Sequence, residues 1–355
     1  MADVRPSRAG RSGAAAGRLD DLVAPPYDVL DDGARAEHLA RSPYNVVHLT
    51  LPDSERAAAE AWRTWQEEGV LVRDAEPAFW ALVQDYVGPD GVARTRTGVV
   101  GSLRVEPYET RTVLPHERTH RGPKEGRLRL LRETRVELEP IFLLYDGAAP
   151  FAVPGREPDL QVEGARLWRL DDDLSPFFAD RQLLIADGHH RYETALAFHE
   201  EDGSEAAARM PVVLVSTEDP GLTIFPTHRL FDGREARWNG GGEPVRDALA
   251  RLARTADDHG AFVEYDGAAR LVDPGAGALA VEVVDELGHD GLSYTADADE
   301  AIRRVDEGEA SVAYLLRPTR IEDVFSLARR GEVMPQKSTY FFPKLVSGLL
   351  FHPLD

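Results

Sequence analysis

Leu184-Ile185-Ala186-Asp187-Gly188-His189-His190-Arg191-Tyr192-Glu193-Thr194-Ala195 is the stretch from which the rest of the chain is read. An apolar run stops at an aspartate, a glycine supplies a turn, and a helix-forming segment follows. The first turn of a helix leaves its N–H groups without partners inside the helix. Two imidazoles and a guanidinium beside such an end make it attractive to anions. Phosphate oxygens suit it, because Arg191 can hold two of them in parallel hydrogen bonds. Asp187, at the strand end, is placed to hold Mg²⁺ or to orient a hydroxyl. The plainer reading is an Asp-Gly turn carrying surface histidines.

Working outward, the strand covers 182–187 and the helix 192–199. A second buried strand is predicted at 140–145, and further strands at 211–216 and 222–225. Upstream, 79–87 and 92–105 read as a hairpin around Gly88-Pro89-Asp90-Gly91. A helix over 54–68 is capped by Asp53 or Ser54, presents Ala58, Ala61, Trp62 and Trp65 on one face, and ends at Gly69. Residues 24–29 form a rigid extended piece, since Pro25 and Pro26 fix the backbone. Another helix is predicted over 128–138. Downstream, 232–244 is polar, with three consecutive glycines, and reads as a linker. Beyond it come a strand near 278–284, a helix near 298–307 and a strand at 311–317. A final helix is capped by Thr319 and runs to Arg330, with Ile321, Val324, Phe325 and Ala328 inward. This mixture predicts an α+β fold rather than a regular βαβ alternation.

The chain has 355 residues, enough for more than one domain and short of three. No apolar run approaches the length of a membrane span, so no membrane partner is expected. The first nineteen residues are rich in Arg, Ala, Gly and Ser, lack the apolar centre of a secretory signal, and read as a disordered tail. There are no cysteines, which removes thiolate chemistry and leaves the cytoplasm as the simplest compartment. A net charge of −21 opposes binding to a phosphate backbone, so no nucleic-acid partner is expected. A small anion can still bind where a few cations and N–H groups converge. Of 41 basic residues only Lys124, Lys337 and Lys344 are lysines, which marks them as positions where a point ammonium is wanted.

Two further stretches carry chemistry. Leu114-Pro115-His116-Glu117-Arg118-Thr119-His120 has the spacing H-E-x-x-H, which on a helix sets two imidazoles on one face for zinc. Pro115 before it and Gly122-Pro123 after it leave barely two polar turns, a poor frame for a zinc hydrolase. Met334-Pro335-Gln336-Lys337-Ser338-Thr339-Tyr340-Phe341-Phe342-Pro343-Lys344 is polar in its first half and aromatic in its second. Its Gln336, Lys337 and Ser338 suit a phosphate or a carboxylate. His228 and Arg229 lie at a strand end near the same cleft. Asp28 follows two prolines, and Asn45 stands between Tyr44 and Val46 in a turn-like setting.

Asp-Gly-His-His-Arg after an apolar strand resembles the nucleotide loop of the ParB/sulfiredoxin superfamily, in the form carried by its free serine kinases. Over nearly its whole length the chain resembles the family called domain of unknown function 1015. That family's recurrent pieces appear at 24–29, 43–48, 116–119, 138–145, 186–191 and 334–344. The resemblance implies a ParB/sulfiredoxin-like mixed α/β core over 98–235. An N-terminal α/β segment (20–97) and a C-terminal one (236–355) would flank it and complete the cleft. It further implies a kinase using ATP or ADP with Mg²⁺ to phosphorylate a small hydroxyl amino acid, free L-serine first, giving O-phosphoserine. Glu117 would be the base, with His116 and Asp187 as the other catalytic groups. Gly188, His189, His190, Arg191, Lys124 and Arg127 would bind the phosphates, and Asp187 the metal. Asp28, Asn45, Thr119, His228, Gln336, Lys337 and Ser338 would bind the acceptor. The insertion over 146–181 departs from the kinase pattern. A CTP- or ATP-dependent switch of the same superfamily is the alternative, and the number of subunits is left open.

Overall fold

Strands Phe79–Val87 and Ala93–Arg104 form the expected hairpin, and the largest sheet grows from both of its edges. The computed structural model describes residues 2–118, 121–238, 242–256 and 259–354. From one edge the order is Val113–Leu114, Leu183–Asp187, Ile141–Tyr145, Arg209–Ser216, Ala93–Arg104, Phe79–Val87, Ala165–Leu170, Leu160–Val162. Ile141–Tyr145 runs parallel to Arg209–Ser216 and antiparallel to Leu183–Asp187, so the sheet is mixed. All five residues of Ile141–Tyr145 are buried, as an unbroken apolar run covered on both faces requires. Helices Glu55–Glu67, Arg121–Thr134 and His189–Asp202 pack in series beside it. The Ser54 hydroxyl caps the first by accepting from Ala57 N–H, and Ala58, Trp62 and Trp65 face inward.

Two expectations, the disordered tail and a core boundary at 98, are corrected by this lobe. Residues 2–19 are built into it: Val4–Arg5 pairs with Ala93–Arg104, and Gly10–Ser12 with Leu71–Arg73. Ala2, Val4 and Ala9 are buried, and a polar, arginine-rich composition hid these three anchors. The segment 146–181 is part of the sheet, supplying Leu160–Val162 and Ala165–Leu170. Residue 97 lies inside the Ala93–Arg104 strand, so a core beginning at 98 would split the hairpin.

A second lobe carries an antiparallel sheet ordered Ala269–Val272, Phe262–Tyr265, Val312–Leu316, His228–Phe231, Leu292–Thr295. Its helices are Val245–Leu252, Ala280–Asp285 and Ala298–Asp306. The strand predicted near 278–284 is instead the helix Ala280–Asp285. Val281 and Val284, three apart, are both buried, which is helical spacing that the valine-rich composition disguised. The chain then returns. Helix Ile321–Arg330 buries Val324, Phe325 and Ala328 against the first lobe. Thr319 does not cap it; its hydroxyl donates to Ser338 O at 3.0 Å. Among the described helices none is long and apolar enough to cross a membrane.

Residues 334–344 next cross the first lobe as a strap, pairing Tyr340–Phe342 with Thr223–Phe225. Arg96, wholly buried, fixes it there. Its Nη2 donates to Pro343 O at 2.7 Å and Gln84 Oε1 at 2.6 Å, and its Nη1 donates to Phe342 O at 3.2 Å. Burial pushes this guanidinium down to about 10, so it stays charged at neutral pH.

Two stability experiments follow from the architecture. Removing residues 2–8 deletes the Val4–Arg5 pairing and its buried side chains, and should lower the melting temperature by several degrees, since one buried Val alone contributes roughly 1.5–3 kcal/mol. An unchanged melting temperature would return the stretch to a tail. Burial also depresses buried His228 to about 4. The unfolded chain therefore binds that proton more readily between pH 6.5 and 4, and stability falls as pH drops through that window. His228→Asn should shallow the fall by up to one proton in urea titrations; an unaltered slope would show that His228 does not titrate there.

Candidate functional site

The Leu183–Asp187 strand slips register against Ile141–Tyr145 between Ile185 and Asp187, a bulge of the kind that re-aims side chains at a sheet end. Gly188 then turns the chain with φ 103°, and the helix His189–Asp202 begins at once. A Cβ at Gly188 would lie 2.5 Å from Ile141 Cγ2, so both backbone angle and space demand glycine. Asp187 is held between two cations. Arg191 Nη2 donates to Oδ2 at 2.7 Å, and the Lys344 ammonium pairs with Oδ1. Burial acts to raise this carboxyl, but the charges of Lys344 and then Arg191 overcome it and hold it below the usual range. Arg191 Nη1 also donates to Pro140 O.

Around this clamp the N-terminal segment closes one side. Tyr27 N–H donates to Glu139 Oε1 at 3.2 Å, and Ser347 Oγ donates to the same oxygen at 2.6 Å. Arg127 stacks 3.4 Å above the Tyr27 ring and donates to Thr50 O. Asp28 is exposed at the rim, near enough for its charge to act on Arg191 and Lys344.

The second half of the site lies across a ring contact. The centroids of His116 and His189 are 4.8 Å apart. His116 N–H donates to His189 Nε2 at 3.2 Å, so the His189 proton sits on Nδ1. Burial, helped by His116, drives His189 down to about 3 and keeps it neutral. His116 Nδ1 stands 2.6 Å from Ile185 O and must donate to it, leaving Nε2 opposite Thr339 Oγ1 at 2.8 Å. That hydroxyl also lies 2.8 Å from Glu117 Oε1, with one hydrogen to share between the two. Backbone N–H groups of Thr339 and Lys337 donate to Glu117 Oε1 at 3.0 Å and Oε2 at 3.2 Å. Burial acts to raise Glu117, but the His116 ring, with Nε2 3.4 Å from Oε1, leads the effects that bring it down to about 2, so it is an ionised carboxylate. Lys337 adopts φ 58° to make its bond, an unusual conformation for a side-chain-bearing residue.

Most of the predicted residues meet here: Asp28, His116, Glu117, Arg127, Asp187, Gly188, His189, Arg191 and the backbone of Lys337. Lys124 pairs with Glu193 on the neighbouring helix, His190 O accepts from Thr194 Oγ1, and Gln336 lies half-buried in the strap. Three are corrected. Asn45, fully buried, spends its amide on Asp21 O and Val23 O and its oxygen on Val47 N–H, so it braces a loop and cannot reach an acceptor. Ser338 turns its hydroxyl to Pro335 O. His228 is packed in the second lobe, accepting Leu316 N–H at 3.0 Å. Thr119 lies outside the described residues, as does His120. His116 already has both ring nitrogens engaged, which leaves the H-E-x-x-H zinc reading without a first ligand. Mg²⁺ fits Asp187 poorly, since each of its oxygens already faces a cation. Among the described residues no group of three or more His, Cys, Asp or Glu could complete a metal site.

Lys344, Thr339 and Glu139 belong to the site and were absent from the predicted set. Lysine scarcity flagged Lys344; nothing in the local sequence flags Thr339 or Glu139, whose roles depend on a strap arriving from far along the chain. Gly188→Ala should cost on the order of 3 kcal/mol, from the left-handed backbone and the Ile141 contact together. Denaturant unfolding measures it, and a loss within error would mean that the turn can rearrange.

Among curated proteins none matches the sequence. Solved structures similar to the chain include a free serine kinase in complex with AMP, at 19% identity and a TM-score of 0.38, covering 65% of this chain and 83% of that one. A conserved hypothetical protein from Pyrococcus furiosus matches at 18% identity and a TM-score of 0.37, covering 67% and 92%. SbnI with C-terminal truncation from Staphylococcus aureus matches at 12% identity and a TM-score of 0.42, covering 71% and 87%. The family model described as Protein of unknown function (DUF1015) matches residues 4–259. With its conserved-family match spanning well over half of the sequence, the chain belongs to the DUF1015 family.

Proposed function

We propose that the chain is a nucleotide-dependent phosphotransferase whose acceptor is the alcohol of a small amino acid, free L-serine first, with ATP or ADP as donor and O-phosphoserine as product. The observation that carries this reading is the meeting of a cation-flanked helix start with an ionised, part-buried carboxylate across the His116–His189 contact. On the phosphate side, the first-turn N–H groups of His189–Asp202 and the charges of Arg191 and Lys344 draw in phosphate oxygens. Asp187 keeps the two cations in place until they are shared with the nucleotide. A divalent ion would reach the site on the nucleotide's own phosphates, because Asp187 has no oxygen to spare.

Phosphoryl transfer passes through a loose transition state, so the protein's work is positioning and charge neutralisation. The acceptor oxygen forms the new bond to phosphorus, the bond to the nucleotide's bridging oxygen breaks, and the hydroxyl proton passes to Glu117. A carboxylate held near 2 is a weak base. That suits a proton transferred late, when the acceptor oxygen has already bonded to phosphorus and become acidic.

The test mixes protein with ATP or ADP, Mg²⁺ and L-serine, and follows O-phosphoserine by phosphorus NMR, with nucleotide affinity measured by calorimetry. Glu117→Gln should lose about 10²-fold or more in turnover while binding nucleotide nearly as before. Arg191→Ala should weaken nucleotide binding about 10- to 100-fold, the worth of a charge-assisted hydrogen bond. Normal turnover in Glu117→Gln, or no nucleotide bound by the native chain, would overturn the reading. Tight binding without transfer to any hydroxyl amino acid would move the chain to the nucleotide-switched binding proteins.

A further inference from the structure

The second lobe holds a buried cation without a matching anion. Arg229 is fully buried, yet its Nε and Nη2 have no hydrogen-bond partner. Only Nη1 is engaged, at 3.4 Å from Thr227 O. The side chain faces Tyr294, its register partner on the adjacent strand, with the guanidinium carbon 5.8 Å from the ring. Two more buried polar atoms beside it lack a hydrogen bond, Thr227 Oγ1 and Asp285 Oδ1, the latter facing the His289 imidazole at 3.7 Å. Asp285, at the end of the Ala280–Asp285 helix, is close enough for its charge to act on Arg229 and Tyr294. The Glu117 carboxylate of the first lobe acts on the same two residues, so this cluster borders the site already described.

Burying a charged group without a partner is expensive, and such a group in a native fold calls for a ligand. The vacant valences have a definite shape. Nε and Nη2 share one edge of the guanidinium plane, and two parallel N–H bonds along an edge match the two oxygens of one carboxylate. Asp285 Oδ1 and Thr227 Oγ1 are acceptors, matched to an ammonium. A carboxylate receptor beside ammonium acceptors, bordering the carboxylate that would receive a hydroxyl proton, has the polarity of a free amino acid.

We propose that the Nε–Nη2 edge of Arg229 binds the carboxylate of the amino-acid acceptor, with Asp285 and Thr227 taking its ammonium, so that its side-chain hydroxyl faces Glu117. The ligand's identity rests on the phosphotransferase reading; the receptor does not. It follows that a free amino acid binds, whereas an amino alcohol lacking the carboxylate does not.

Calorimetry of the full chain with L-serine, then with ethanolamine, tests the carboxylate directly. L-serine should bind and ethanolamine should bind at least tenfold more weakly. In Arg229→Met, which keeps the volume and removes the charge, serine affinity should fall about tenfold or more. In the phosphorus NMR assay the same variant should raise KM for serine with little change in nucleotide affinity. Phosphotransfer with an unchanged serine KM in Arg229→Met would sink this inference and leave the kinase standing. Serine binding lost in the variant, with no transfer by the native chain, would do the reverse. Should Arg229→Met fail to fold, the ligand pair decides alone: equal binding of serine and ethanolamine, or binding of neither, overturns the receptor and leaves the edge of Arg229 to internal water.

Discussion

Asp187 between Arg191 and Lys344 is the interaction on which the rest depends. Its carboxylate joins a strand end, a helix start and a residue 157 positions further along the chain. Remove the negative charge and two cations are left facing each other in a half-buried cleft. Remove either cation and the carboxylate loses one of the two charges that keep it ionised despite its burial. The bulge, the left-handed glycine and the Arg96 anchor of the strap each serve to bring these three charges to one place.

Glu117 repeats the device in milder form. A carboxylate accepts two backbone N–H groups from the strap, and the strap takes its course from that pairing as much as from its own short strand. The two carboxylates therefore organise the C-terminal crossing from opposite ends, at Lys337–Thr339 and at Lys344. Between them lies a pair of histidines, of which His116 is buried and His189, partly buried, is neutral.

What could be read from the sequence was local. The strand–glycine–helix turn is written in twelve consecutive residues, and so are the hairpin at 79–104 and the helix capped by Ser54. Each of these signals acts over a few residues, where spacing and turn chemistry suffice. The misplaced residues were those whose partners lie far off. Asn45 looked available because its three hydrogen-bond partners, Asp21, Val23 and Val47, are recognisable only once the loop is folded. Thr339 and Glu139 looked ordinary because nothing near them in sequence marks a strap or a proline-rich segment arriving from the other end of the chain. The N-terminal stretch misled for a related reason. Three small apolar residues among arginines suffice to seat an edge strand, but they leave no periodic trace.

The strap also sets an order on biosynthesis. Asp187 and Arg191 leave the ribosome long before Lys344, and a complete five-stranded sheet is made in the interval. A nascent chain halted within that second lobe holds a finished turn whose carboxylate has one cation in place of two, and a Glu117 with no backbone donors. The charged pocket therefore becomes whole only after the second lobe has been made, and partial products that stop short of the strap carry the turn without the site.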